Sequence, residues 1–138
     1  MSGHETIIPF RRARLINLLL LNFRQFLGNG PGLIIDNTGF TDYSSGLAVG
    51  HISWSDVKAI KIVTLSEYKQ RCIAIILKNP HTYLERQPNA WKRKTMTANL
   101  RKYGSPVQLS DNSLQCTFDE LLHHLQSHFD RSRPYVLN

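Results

Sequence analysis

Between Pro31 and Val63 the chain reads PGLIIDNTGFTDYSSGLAVGHISWSDVKAIKIV, and no other stretch constrains the fold as strongly. Short apolar runs alternate with turn-forming clusters, so the segment reads as consecutive strands joined by tight turns. Leu33 to Asp36 forms the first. Asp36-Asn37-Thr38-Gly39 is a hairpin signal, because glycine supplies the positive φ such turns need. Phe40 to Tyr43 returns, Ser44-Ser45-Gly46 turns again, and Leu47 to Ile52 is the third strand. Trp54-Ser55-Asp56-Val57 is a corner. Val57 to Thr64 continues as a strand, although neither of its faces is cleanly polar and its register is poorly specified. Cys72 to Leu77 is an almost unbroken apolar run, the mark of a strand buried on both faces, and Asn79-Pro80 ends it.

Residues 81–103 change to helical composition. Pro88 stands where a second helical segment opens, and Tyr103-Gly104-Ser105-Pro106 is a helix stop. Pro106 to Leu109 and Ser113 to Cys116 form a last hairpin around Asp111-Asn112. Thr117 and Glu120 then make a capping box. Phe118, Leu121, Leu122, Leu125 and Phe129 follow as one apolar stripe of a C-terminal helix. The count is seven short strands and one amphipathic helix. A small roll leaves an apolar mouth and open edges, and a final helix covers both. The expected fold is therefore α+β: a pleckstrin-homology-like (PH-like) seven-stranded antiparallel barrel or roll capped by its C-terminal helix. A helical insertion at 81–104 separates strands five and six. A chain of 138 residues holds one such domain, at 32–131, with a tail at 132–138.

Residues 1–31 read as a basic, apolar helical arm ending in the Gly28-Asn29-Gly30 linker. Leu15 to Leu27 is the most hydrophobic run, preceded by Arg11, Arg12 and Arg14. As a helix it extends about 20 Å, short of the roughly 30 Å hydrocarbon core, and it contains Arg24. It therefore does not read as a membrane span. A helix packed on its own or a neighbouring chain, an interfacial helix and a secretory signal all remain open. Residues 15–27 are also a candidate surface for homo-oligomers.

The formal charge of +7 is unevenly spread. Residues 81–105 hold six basic side chains against Glu85, a net of +5, while residues 106–138 hold two against four. In the first of these segments Arg86, Trp91, Lys92, Arg93, Lys94, Arg101 and Lys102 interleave cations with an aromatic ring. Anionic lipid, an acidic protein or nucleic acid suits such a surface, and so does plain solvation. Cys72 and Cys116 are too few for a disulfide scaffold and read as small buried hydrophobes. His124 and His128 stand one helical turn apart, but no third ligand accompanies them, so no metal is expected. No nucleophile motif, phosphate-cradling glycine loop or acid pair is evident. No cofactor is expected, and the chain does not read as an enzyme.

Gly32-Leu33-Ile34-Ile35-Asp36-Asn37-Thr38-Gly39-Phe40, followed by Gly50-His51-Ile52-Ser53-Trp54-Ser55-Asp56-Val57, resembles the I-D-x-x-G … G-x-I-x-W-x-D-I pattern of bacterial PH-like membrane proteins. Ile8-Pro9-Phe10-Arg11-Arg12, Lys78-Asn79-Pro80, Gly104-Ser105-Pro106-Val107 and the segment from Leu114 to Leu122 are similar to one uncharacterised bacterial family among them. The resemblance covers about residues 6–20 and 31–131. It implies two N-terminal transmembrane spans and a cytoplasmic PH-like domain. This chain has room for neither complete span between Leu21 and Pro31. The implied side is the cytoplasmic face of the inner membrane, with the chain itself soluble or peripheral, and Arg11, Arg12 and Arg14 agree with that side. The resemblance implies no functional residues. The expected function is a non-catalytic binding or scaffolding module whose partner is anionic lipid or a membrane protein. It would make contact through Arg86, Trp91, Lys92, Arg93, Lys94, Arg101 and Lys102. The alternative is a basic nucleic-acid-binding protein.

Overall fold

A computed structural model of the chain describes residues 5–9, 31–43, 49–65, 69–112 and 114–133. Among the described residues the fold is α+β, with two antiparallel sheets and three helices. Strands β1 (Thr6–Pro9), β2 (Pro31–Ile35), β3 (Gly39–Asp42) and β4 (His51–Ser53) form the first sheet in sequence order. A 3-10 turn at Trp54–Asp56 leads into the second sheet of β5 (Val57–Leu65), β6 (Gln70–Leu77) and β7 (Gln108–Leu109). Helices α1 (Pro80–Glu85) and α2 (Ala90–Tyr103) lie between β6 and β7, and α3 (Phe118–Ser132) closes the described chain.

The hairpin at Asp36–Gly39 forms as its residues dictate. The Asp36 carboxylate accepts from the Thr38 and Gly39 backbone N–H groups at 2.9 and 3.1 Å and from the Thr38 hydroxyl at 2.7 Å. These donors hold the Asp36 carboxyl below its usual range, against a burial effect that pushes it up. Gly39 has no substitute, because a β-carbon there would run into the Ile52 carbonyl of β4. The expected corner is the 3-10 turn. Trp54 donates its backbone N–H to Thr38 at 3.1 Å and its indole N–H to the Asp36 carbonyl at 2.8 Å. Its ring packs against Phe40 (centroids 5.4 Å apart) and Phe129 of α3 (5.9 Å). One tryptophan therefore joins the first sheet, the crossing between sheets and the last helix.

The core lies between the sheets and α3, with Leu33, Ile35, Phe40, Ile52, Ile73 and Ile75 facing Leu121 and Leu125. Cys72 to Ile75 are buried at every position, as expected for β6. Neither cysteine is in a disulfide. The capping box is present, with Thr117 accepting from the Glu120 N–H at 3.1 Å and Glu120 accepting from the Thr117 N–H at 2.9 Å.

Three expectations need correction. First, seven strands are present, but they pair as four plus three, and no ladder closes them into a barrel among the described residues. Second, residues 6–9, assigned to a helical arm, are strand β1. Thr6 pairs with Ile35 and Ile8 with Leu33, and Ile8 is buried. The local signal was misleading because Pro9 and the arginines that follow suggest an appendage, whereas Thr6 to Ile8 answers to β2, far away in sequence. Third, of the strand expected at 113–116, the described residues 114–116 form none. Leu114 makes only an isolated bridge, and the Gln115 N–H donates to the Pro9 carbonyl at 2.9 Å. The proposed helix at 15–27, its linker, the turn at 44–46 and the 134–138 part of the tail fall outside the described residues. The blurred alternation of β5 has a cause: a bulge between Val57 and Ala59 shifts the register.

Candidate docking surface on the helical insertion

The insertion is anchored through α1. Tyr83 is 1% exposed and donates its hydroxyl to Asp56 Oδ2 at 2.5 Å. Burial, followed by the hydrogen bond and charge of Asp56, pushes the phenol up to about 12. Gln87, also buried, donates to the Tyr83 carbonyl at 3.2 Å. Asn89 caps α2 by accepting the Lys92 N–H at 3.1 Å. Gly104 ends α2 with a left-handed φ of 80°, donating its N–H to Leu100 at 3.0 Å. Met96 is the fully buried side chain of α2.

The structure divides the seven residues singled out from the sequence. Arg86 lies over the Tyr83 ring, 4.8 Å from its centroid, and Lys102 lies 5.3 Å over Tyr103. Arg93 donates to the Gln87 carbonyl at 2.5 Å and so braces the α1–α2 connection. Lys92 is half-buried at the first turn. Trp91 is 69% exposed, and Lys94 and Arg101 are exposed with it. At about 100° per residue, Trp91, Lys94, Ala98, Arg101 and Lys102 fall within roughly 100° of arc on α2. They form one outward stripe, and Lys92 and Arg93 lie off it. Beside the stripe runs a groove of about 620 Å³ between α1 and α2. Arg93, Lys94 and Arg101 form one wall, with His81, Leu84 and Glu85 on the other. The α1 wall was not found from the sequence, because it depends on how two short helices fold back on each other.

Pro9 pairs with Pro31 at the end of the first sheet away from the Asp36–Gly39 hairpin. Helix α1 departs where Val57 pairs with Leu77, beside the 3-10 turn and the Asp36–Gly39 hairpin.

The remaining candidates have structural partners. His51 bonds Thr41 at 3.1 Å. His128 is buried, with Nε2 3.1 Å from the Thr6 hydroxyl, so that α3 is tied to β1. Among the described residues no group of three metal-ligating side chains converges, and no helix is long and apolar enough to cross a membrane. Comparison with known proteins returns no matching family model, curated protein or solved structure.

Proposed function

We propose that this chain is a non-catalytic, PH-like binding module that docks on an anionic phospholipid surface at the cytoplasmic face of the bacterial inner membrane. Two antiparallel sheets of four and three strands followed by a C-terminal helix support the PH-like reading. The observation that carries the docking reading is the exposed indole of Trp91 in line with Lys94, Arg101 and Lys102 on α2. An indole favours the headgroup region, and each cation near an anionic leaflet adds about 1 kcal/mol. Because the stripe runs along the helix, α2 lies parallel to the membrane plane.

Vesicle flotation of the full chain tests this. Recovery should rise when phosphatidylglycerol is added to phosphatidylcholine vesicles. It should fall back in the Lys94→Glu/Arg101→Glu variant and in Trp91→Ala. Equal recovery at both lipid compositions overturns the reading. A gel shift that follows the same two variants, without any lipid dependence, would transfer the surface to nucleic acid.

A further inference from the structure

A second groove, of about 650 Å³, lies between the Asp36–Gly39 hairpin, the 3-10 turn and the last turn of α3. Among the described residues three cations, Lys58, Lys78 and Arg133, line it, and no carboxylate does. Each is positioned by the fold. Lys58 sits in the β5 bulge between Val57 and Ala59. The Lys78 N–H donates to the Asp56 carbonyl at 2.8 Å, which holds it beside the corner. Arg133 lies over the Phe129 ring, 5.3 Å from its centroid. The acids nearest in sequence are engaged elsewhere. The Asp36 carboxylate serves its own turn, Asp56 accepts from Tyr83, and Asp130 accepts from Gln126 at 2.9 Å. Among the described residues the Lys58 and Lys78 ammonium groups have no acidic partner, and the Asn37 amide and Ser55 hydroxyl in the same lining donate to none of these residues. The groove's apolar side is the Trp54–Phe129 pair.

We propose that this groove is an anion site for a phosphate-bearing ligand, with the phosphate among Lys58, Lys78 and Arg133. Three cations and neutral donors approaching from three elements suit a multiply charged tetrahedral group. A carboxylate is satisfied by one arginine fork and leaves the lysines unused. The site does not involve the α2 stripe.

Trp54 is the natural reporter. The chain has two tryptophans, so Trp91→Phe leaves one indole, at the groove. In that background, Trp54 fluorescence and titration calorimetry are followed against inorganic phosphate, phenyl phosphate and vesicles containing phosphatidic acid. Saturable binding is expected, weakened about ten-fold or more by Lys58→Gln/Lys78→Gln and by Arg133→Gln, and, for the two soluble phosphates, unchanged by Lys94→Gln/Arg101→Gln. Saturation by soluble phosphates supports the site with a small-molecule source, and saturation by phosphatidic acid vesicles alone, lost in the groove variants, supports it with a lipid headgroup. The proposal is overturned if none of the three probes saturates, if sodium chloride at matched ionic strength reproduces the response, or if the groove variants bind as the parent does. Because the α2 variants are scored separately, failure here leaves the flotation result intact, and the reverse also holds.

Discussion

The Tyr83 hydroxyl donates to Asp56 Oδ2 at 2.5 Å, so a side chain of the insertion is hydrogen-bonded to the corner that joins the two sheets. The same corner residue accepts the Lys78 N–H through its backbone carbonyl. Asp56 thus fixes both where β6 ends and where α1 begins. The basic surface of α2 depends on an acid 27 residues before Tyr83 in the chain.

Replacing Tyr83 with Phe should destabilise the protein by about 1–3 kcal/mol, because Asp56 is left half-buried without its donor. The phenol pushed up to about 12 gives a second readout. Its folded form is the neutral one, so its contribution is complete below the ordinary value of 10 and is lost as pH rises from there toward about 12. An ultraviolet titration should show one late-ionising tyrosine, absent in Tyr83→Phe. Urea midpoints of parent and variant should converge across the same interval.

Trp54→Phe keeps an aromatic ring against Phe40 and Phe129 but removes the donor to the Asp36 carbonyl. We expect a loss of about 1–3 kcal/mol from the carbonyl's lost indole donor. Trp54→Ala should lose about 3–5 kcal/mol, because a cavity opens where three elements meet. Chemical denaturation of both variants checks the order, and equal losses would mean that the hydrogen bond carries the whole effect.

Two glycines are favoured at their positions for different reasons. Gly39→Ala drives a β-carbon into the Ile52 carbonyl and should cost about 1–3 kcal/mol by overpacking. Gly104→Ala meets only the Ile76 side chain, at an ordinary 3.6 Å, but must hold a left-handed φ of 80°, and should cost about 1 kcal/mol. Thermal melts of the two variants should rank them in that order.

Acid should weaken the fold in two stages. Burial, with Arg131 and His124 nearby, lowers the proton affinity of His128 below its ordinary 6.5, and Asp36 only partly opposes this. The folded state therefore prefers neutral imidazole. Its contribution is present above 6.5 and lost as pH falls below that value. Asp36 and Glu120 are also held below their ordinary 3.8 and 4.5, so their contributions are lost as pH falls through that lower range. His128→Gln should flatten the first stage of a stability–pH curve and leave the second. An unchanged first stage would assign it to another histidine.

Much of the architecture is written locally. Asp36-Asn37-Thr38-Gly39 was legible as a turn because its carboxylate accepts from Thr38 and Gly39 within the same four residues. Thr117 and Glu120 likewise cap α3 within four residues, and the unbroken apolar run of β6 needed only its own composition to be read as buried. The basic character of the insertion was equally plain, since charge is a property of residue type.

Pairing between distant segments decided the rest. Thr6–Pro9 became a strand because β2 offered it an unpaired edge, and Leu114–Cys116 failed to become one because its Gln115 N–H found Pro9 instead. Trp91, Lys94 and Arg101 became the outward surface only once Tyr83, Gln87 and Arg93 had fixed how α1 meets α2. Lys58, Lys78 and Arg133 are 20 and 55 residues apart along the chain, and no sequence pattern links them. Hydrogen bonds inside a turn or a helix are fixed by neighbours in sequence, whereas a strand's partner and a groove's opposite wall come from wherever the chain happens to return.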